Sequence, residues 1–337
     1  MQTLVCSEPG RLHIEDRPIP VVGPDEVLVR VRRVGICGTD YHIYEGNQPF
    51  LSYPRVMGHE LAVEVVANDT GQGPRAGQIC VVNPYLSCGR CHACLRGLPN
   101  CCMNIAVLGV HRDGGMTEFL SLPRRNLIAG EGLNVDECAM VEFLAIGAHA
   151  VRRANLGMGD RALVVGAGPI GLGVALFAGL CGSEVTIVDR EPDRLKAARQ
   201  LCAPANLVAA SETSDEALSD LTEGAGFDAV FDATGSRAAI EHGFGYAAHG
   251  ARYVLVSVVQ GNISFTDADF HRRELTVLGS RNATSEDFQR VIDAIRKGKA
   301  DWREWITQRT TLSGAVADLP RWARDKSGLI KAVIEVD

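Results

Sequence analysis

Three side chains in one short stretch of the sequence have the chemistry of metal ligands. Cys37, His59 and Glu60 offer a thiolate, an imidazole and a carboxylate, a mixed set that suits a zinc ion with one open coordination position. Thr39 and His42 lie between these ligands, and their hydroxyl and imidazole can pass a proton from a metal-bound alcohol towards solvent. Taken alone, the same residues also fit a buried cysteine beside an ordinary histidine, so the rest of the chain must distinguish between the two interpretations.

A second group of candidate ligands consists only of cysteines. Residues 88–102 contain the pattern C-x2-C-x2-C-x7-C, which is typical of a closed, tetrahedral zinc site with a structural role. An iron–sulfur cluster is the chemical alternative, because four thiolates also hold such clusters. Chance clustering is a further alternative, and Cys101 competes for the place of the fourth ligand. We predict a second zinc ion in each chain, bound by Cys88, Cys91, Cys94 and Cys102.

Glu142 is an acidic residue in an otherwise apolar segment, residues 139–151, whose composition favours a helix. An unpaired carboxylate in such a helix would be desolvated at a high cost, so we expect it to bind a cation. Glu142 is therefore a candidate ligand of the first zinc ion. The alternative is a carboxylate that faces a polar surface at the start of the helix.

The chain changes character at about residue 160. An apolar strand-like run ends at a G-x-G-x-x-G pattern over residues 166–171, and an apolar helix-like run follows to Leu180. Strand, glycine turn and helix in this order are the context that dinucleotide binding requires, because backbone amides and the helix N-terminus receive the pyrophosphate. The predicted contacts are Gly166, Gly168, Pro169, Ile170 and Gly171.

Asp189 ends the next strand-like run, eighteen residues after Gly171. An acid at this place binds the adenosine ribose hydroxyls and repels a 2′-phosphate, so the sequence predicts NAD as the cofactor. Arg190 and Arg194 lie close by and leave NADP as the alternative. Arg281, just beyond the last strand-like run, is a candidate contact for cofactor or substrate.

The elements that position these residues fall into two groups. Residues 26–34 alternate apolar and charged side chains, which predicts a small, mostly antiparallel β domain. After residue 160, strand-like runs alternate with helices, which predicts a doubly wound parallel sheet. The fold class is therefore α/β, with a Rossmann domain over 144–282 and a zinc-binding β domain formed by 1–143 and 283–337.

Composition excludes several classes of partner. A net charge of -7 and a pI near 5.8 argue against nucleic acid and anionic membrane surfaces. Neither a signal peptide nor a membrane span is recognisable, so we expect a cytoplasmic protein. Its eleven cysteines are then free thiols or metal ligands.

Together, residues 35–42, Gly58-His59-Glu60, the four cysteines, Glu142, the glycine turn, Asp189 and residues 232–235 resemble the zinc-dependent medium-chain dehydrogenase/reductase family. Within it the sequence is similar to the sorbitol and threonine dehydrogenase branch, where a glutamate matching Glu142 replaces a second cysteine ligand. Residues 46–55, 108–115, 270–271 and 279–288 resemble bacterial sugar-acid dehydrogenases that oxidise the C5 hydroxyl of L-galactonate or L-gulonate. The resemblance implies a GroES-like fold for the β domain, a cofactor contact at Thr234, and a homo-oligomer, dimer or tetramer.

The expected reaction is the oxidation of a secondary alcohol in a sugar acid, by hydride transfer from a zinc-bound alkoxide to NAD. A polyol or L-threonine dehydrogenase of the same family is the alternative, and it would not require a carboxylate on the substrate. A non-catalytic NAD-binding regulator would need a broken metal or proton-relay set. His111 and His271 are candidates for the substrate carboxylate, although an ordinary surface histidine is the simpler interpretation of each.

Overall fold

The computed structural model describes residues 1–48, 51–68, 73–299 and 302–336. The chain forms two compact units. The first comprises Met1–Glu142, Thr284–Gly298 and Trp302–Asp337, and the second comprises Phe143–Ala283 and Lys299–Asp301. The sequence-based domain boundaries, at 143/144 and 282/283, remain a prediction.

The first unit begins with short strands and two short helices. In chain order these are β1 (Gln2–Glu8), β2 (Arg11–Asp16), β3 (Glu26–Ile36), α1 (Gly38–Glu45), β4 (Arg55–Val56), β5 (Glu60–Ala67), β6 (Ile79–Val82), β7 (Tyr85–Leu86), α2 (His92–Leu95), β8 (Ala106–Val107), β9 (Phe119–Pro123) and β10 (Leu127–Ala129). Short 3-10 turns cover Pro99–Cys101 and Arg124–Asn126. The prolines of residues 47–57 predict a loop that leads to His59 and Glu60, and residues 49 and 50 of it lie outside the described part of the chain.

The helix α3 (Val135–Ala154) follows. Asn134 and Glu137 exchange backbone-to-side-chain hydrogen bonds of 2.9 and 2.6 Å at its start, which satisfies amide groups that the first helical turn leaves unpaired. The alternating residues 116–122 predict a strand, but β9 begins only at Phe119.

The second unit continues with alternating strands and helices. They are β11 (Arg161–Val165), α4 (Pro169–Leu180), β12 (Glu184–Asp189), α5 (Pro192–Cys202), β13 (Asn206–Ala209), α6 (Ser214–Leu221), β14 (Phe227–Asp232), α7 (Arg237–Gly243), β15 (Ala247–Leu255), α8 (Asp267–Arg272) and β16 (Thr276–Gly279). A 3-10 turn covers Phe244–Tyr246. The strands form one parallel sheet in the order β13-β12-β11-β14-β15-β16.

The strand order of this sheet reverses between β11 and β14, the point at which open parallel sheets bind nucleotides. Backbone contact fixes α3 against α4 within the unit, because a Cβ added at Gly147 would lie 2.4 Å from the carbonyl carbon of Gly173. Only glycine permits that approach. The sheet confirms the predicted doubly wound fold.

The chain then returns to the first unit with α9 (Ser285–Arg296), a 3-10 turn at Trp302–Trp305, β17 (Ile306–Thr311), α10 (Ala315–Arg324) and β18 (Lys331–Glu335). The largest sheet of the unit has the order β10-β6-β5-β3-β18-β17, with β9 also paired to β3. All its pairs are antiparallel except β17 with β18. This sheet confirms the predicted β domain.

Alternation along β3 gives this strand one buried face. Val27, Val29 and Val31 are fully buried, whereas Arg30 between them is exposed, as period-two patterning of a strand requires. The smaller sheets pair β2, β1 and β4 in that order, and β7 with β8. None of the described helices is long and apolar enough to cross a membrane.

Candidate active site

The pairing of β3 with β5 brings the first ligand group together. Gly35 lies opposite Glu60 in this antiparallel pair, so Cys37, just after β3, comes close to His59, just before β5. The ligand atoms of Cys37, His59 and Glu60 all lie within 4.8 Å of one another. A Cβ added at Gly35 would lie 2.2 Å from Oε2 of Glu60, so glycine is needed for the carboxylate to occupy this position.

This group has the donor chemistry that a zinc ion requires. Sulfur, nitrogen and oxygen donors converge, and His59 and Glu60 are buried. Nδ1 of His59 makes no hydrogen bond among the described residues, so a buried nitrogen remains for a cation or a proton. Burial alone would lower the pKa of His59, but the negative charges of Cys37 and Asp40 raise it well above its usual value.

Asp40 supports both ligand-bearing segments and was missed by the sequence analysis. Its Oδ2 accepts a hydrogen bond of 2.9 Å from the amide of Cys37, and its Oδ1 accepts one of 3.1 Å from the amide of Gly58. Oδ1 also lies 3.9 Å from Nδ1 of His59. The signal in the sequence is an acid three residues after the residue that caps α1, as in a capping box.

Lys331 is a second residue that the sequence analysis missed. Its ammonium group is buried, donates a hydrogen bond of 2.6 Å to Oε1 of Glu60 and another of 3.2 Å to the carbonyl of Ile36, and lies 2.5 Å from Oε2 of Glu60. The available signal was a lysine within the apolar run of the last strand. Glu60 therefore has a resident cationic partner.

Glu142 lies on α3 and is only 3% exposed, so the alternative of a solvent-facing helix residue is wrong. Its carboxylate is not among the three-residue ligand group defined above; Oε1 instead accepts a hydrogen bond from the hydroxyl of Tyr85. Burial raises the pKa of Glu142 to about 7, with Glu60 adding to the shift and His59 opposing it. The role of Glu142 as a zinc ligand remains a prediction.

The two candidate relay residues lie on α1, Thr39 in its first turn and His42 in its last. Thr39 is half-buried, and its hydroxyl oxygen lies 3.9 Å from the sulfur of Cys37. His42, three residues later and on the same face of the helix, is exposed, with its ring 3.9 Å from Glu45. The role of Thr39 and His42 in proton transfer stays a prediction.

The four predicted cysteines also come together. Sulfur atoms of Cys88, Cys91, Cys94 and Cys102 lie within 4.8 Å of one another. Cys102 is buried whereas Cys101 is exposed, so Cys102 is the member of the group. Backbone amides of Arg90 and Cys91 lower the pKa of Cys88 to about 6, which favours the thiolate that a metal binds. This closed set fits a structural zinc ion and offers no position for a substrate.

The predicted cofactor residues of the second unit follow β11 and β12. Gly168 caps α4 and Pro169 is its first residue, as is common at helix starts. A Cβ at Gly171 would lie 1.8 Å from the carbonyl oxygen of Gly166, so a side chain there would disrupt the turn. Ile170 lies in the first turn of α4 and is half-buried.

Asp189 fixes the glycine turn from the neighbouring strand. Its carboxylate accepts hydrogen bonds of 2.6 Å from the amide of Ala167 and 2.8 Å from the amide of Glu191. Arg194 lies 3.9 Å from the same carboxylate. Unused lone pairs of Asp189 could accept ribose hydroxyls.

Thr234 is held by the buried carboxylate of Asp232, which accepts bonds of 3.1 Å from its amide and 3.0 Å from its hydroxyl. A Cβ at Gly166 would lie 3.2 Å from Thr234, so this loop packs against the glycine turn. Arg281 is exposed after β16, and His111 and His271 are exposed as well. His111 accepts a hydrogen bond of 3.1 Å from the amide of Val107.

Comparison with known proteins gives consistent results for both units. The family model described as "Alcohol dehydrogenase GroES-like domain" matches residues 23–131, and the one described as "Zinc-binding dehydrogenase" matches residues 169–297. The chain is similar to L-galactonate-5-dehydrogenase of Escherichia coli K12, with 40% identity over 99% of this chain and 98% of the relative.

Two further similarities concern a polyol enzyme and a cofactor complex. Sorbitol dehydrogenase of Halalkalibacterium halodurans is 29% identical over 93% of either chain. The crystal structure of a short chain alcohol dehydrogenase, RspB, from Escherichia coli CFT073 in complex with NADH is 31% identical, covers 99% of either chain and superposes with a TM-score of 0.92.

Proposed function

Because the chain belongs to the zinc-type alcohol dehydrogenase family, we propose that it oxidises a secondary alcohol of a sugar acid to the keto acid, with NAD as hydride acceptor. The observation that carries the proposal is the convergence of Cys37, His59 and Glu60 within 4.8 Å in a chain that also has the glycine turn and Asp189. Similarity to L-galactonate-5-dehydrogenase supports the C5 hydroxyl of L-galactonate or L-gulonate as the reacting group.

In the proposed reaction, Cys37 and His59 would hold the catalytic zinc ion, with Glu142 and Glu60 as carboxylate ligands that alternate. The metal, when bound, supplies Lewis-acid polarisation that makes the substrate hydroxyl more acidic. Thr39, whose hydroxyl lies 3.9 Å from the sulfur of Cys37, would accept the hydrogen bond of the substrate hydroxyl. His42 then passes the proton to solvent, to which its ring is exposed. The four-cysteine group holds a second, structural zinc ion.

NAD is the proposed cofactor because Asp189 presents a carboxylate next to the glycine turn. A ribose hydroxyl can donate to this carboxylate, whereas a 2′-phosphate would be repelled. Arg194, at 3.9 Å, offsets part of the negative charge and keeps NADP as the alternative. Gly166, Gly168 and the other residues of the turn would receive the pyrophosphate.

A substrate panel tests the proposal. Purified protein with two equivalents of zinc is assayed by NADH absorbance with L-galactonate, L-gulonate, sorbitol and L-threonine. We expect kcat/KM for one of the two sugar acids to exceed that for sorbitol at least tenfold. A preference for sorbitol would instead support the polyol alternative, which the similarity to sorbitol dehydrogenase favours. No turnover of any alcohol would refute both.

We also propose a cytoplasmic location and a homo-oligomeric state. The eleven cysteines are all free thiols in the structure, and the two ligand groups require reduced thiolates, which a reducing compartment maintains. Light scattering of the zinc-loaded protein distinguishes a dimer or tetramer from a monomer.

A further inference from the structure

Glu60 lies in one group with Cys37 and His59, and Glu142 is a second buried carboxylate of the same unit, although a tetrahedral zinc site with an open position has room for only one carboxylate oxygen. A thiolate, an imidazole and one carboxylate oxygen leave the fourth tetrahedral position for the substrate. A second carboxylate, or both oxygens of one, would fill that position. The oxygen atoms that do not bind the metal therefore need other partners.

Tyr85 supplies such a partner for Glu142. Its side chain is buried, and its hydroxyl donates to Oε1 of Glu142. The ring packs edge-on against Phe288, with the centroids 6.4 Å apart. Its backbone is held as well, because the amide of Tyr85 donates to Asn83 at 3.0 Å and its carbonyl accepts from Asn126 at 3.4 Å. The phenol is thus fixed before any metal binds.

The partner of Glu60 differs in charge. Lys331 contacts both oxygens of Glu60, at 2.6 and 2.5 Å, so a metal ion that took Glu60 would compete with a buried ammonium group. The loss of that pairing is costly in the protein interior. Tyr85 is neutral and uses only Oε1, so Glu142 can bind a metal through Oε2 and keep its hydrogen bond.

We propose that Tyr85 is a positioning residue that makes Glu142 the resident, single-oxygen carboxylate ligand of the catalytic metal. The inference rests on the proposed function, in which Glu142 and Glu60 are the alternating carboxylate ligands of a metal held by Cys37 and His59. By holding Oε1, the hydroxyl prevents Glu142 from binding through both oxygens and so keeps the substrate position open. Lys331 holds Glu60 as the second carboxylate.

A double-mutant cycle with Tyr85→Phe and Glu142→Gln tests the proposal. Phenylalanine keeps the ring that packs on Phe288 and removes only the hydroxyl. Tyr53→Phe is the matched control, because it removes a half-buried hydroxyl that donates to the carbonyl of Ile43 in the same unit. Each variant is loaded with zinc, and metal release to a chromogenic chelator is followed. Cobalt-substituted samples are compared by visible absorption, which reports the coordination geometry.

We expect Tyr85→Phe to release the catalytic metal about tenfold faster, in line with the effect of other groups that orient metal ligands. It should also change the cobalt spectrum, and it should leave the four-cysteine metal and the Tyr53→Phe control at parental rates. In the Glu142→Gln background, Tyr85→Phe should have no further effect.

Unchanged release and an unchanged spectrum in Tyr85→Phe would overturn the proposal. So would loss of both metals together, or an equal effect of Tyr85→Phe in the Glu142→Gln background, because the hydroxyl would then not act through Glu142. If Glu142→Gln itself leaves metal binding as in the parent, the ligand set fails, and with it this inference. A defect in Glu142→Gln without one in Tyr85→Phe refutes only the role of Tyr85.

Discussion

Replacement of Lys331 by methionine should be one of the most damaging single changes to the first unit when no metal is bound. Lys331 and Glu60 have side-chain exposures of 2% and 0%, so Lys331→Met leaves a carboxylate buried without its cation. Breaking a buried ion pair from one side costs about 3–5 kcal/mol. Lys331→Met combined with Glu60→Gln removes the charge as well, and only the lost hydrogen bonds remain, at about 1–2 kcal/mol.

Tryptophan fluorescence measures this effect selectively, because Trp302, Trp305 and Trp322 are the three tryptophans of the chain and all belong to the first unit. We expect the urea midpoint of the metal-free protein to fall strongly in Lys331→Met and to recover most of the loss in the double variant. Zinc should reduce the difference, since it offers Glu60 another cation. Lys326→Met, which removes an ammonium group 4.9 Å from the ring of Tyr41, is the control. Equal midpoints for the single and double variants would refute the charge argument.

Three further outcomes follow from the geometry. Metal analysis should find two zinc ions per chain. Cys91→Ser should bind only one of them and should have a lower thermal stability, while its folded fraction stays active. A folded but inactive Cys91→Ser variant would contradict the structural role of the four-cysteine site. Asp189→Ala should raise the Kd for NAD about tenfold, as expected for a lost charged hydrogen bond, and should reduce the preference for NAD over NADP. Equal turnover of NAD and NADP by the parent protein would contradict this role of Asp189. Burial would raise the pKa of Asp136, but hydrogen bonds from Arg309 and Arg33 lower it below its usual value. Its contribution to stability is therefore complete above about pH 4 and is lost as the pH falls through the folded-state pKa, so the gap in urea midpoint between parent and Asp136→Asn should shrink only below that pH.

Local patterns were sufficient to predict much of the fold and the family. The strand, glycine turn and helix over 161–180 form as expected, because each depends on neighbours in sequence. The candidate ligands Cys37, His59 and Glu60 were identified by type and come together in the structure, and the family resemblance is confirmed. The sequence did not reveal the pairing of Gly35 with Glu60, since register depends on how two strands meet.

The residues that were missed have partners far away in the sequence. Tyr85 and Glu142 are 57 residues apart, and Lys331 and Glu60 are 271 apart. The pattern of apolar and polar residues predicts which side chains are buried, but not which buried side chains contact each other. Glu142 shows this limit well: its burial was predicted correctly from apolar neighbours, whereas its hydrogen bond to Tyr85 could be found only in the structure. Asp40 was accessible from its helix-capping position and was overlooked.

The place of β18 beside β3 has a consequence for biosynthesis. Lys331 is made 295 residues after Ile36, whose carbonyl it binds. At about 5–20 residues per second, the ribosome needs roughly 15–60 seconds to cover that distance. For this time the edge of β3 lacks a strand that it pairs with in the finished sheet, and unpaired edges invite aggregation. Zinc delivered to the nascent chain would also meet Glu60 before its lysine exists, so the order of metal insertion and chain completion decides which partner the carboxylate meets first.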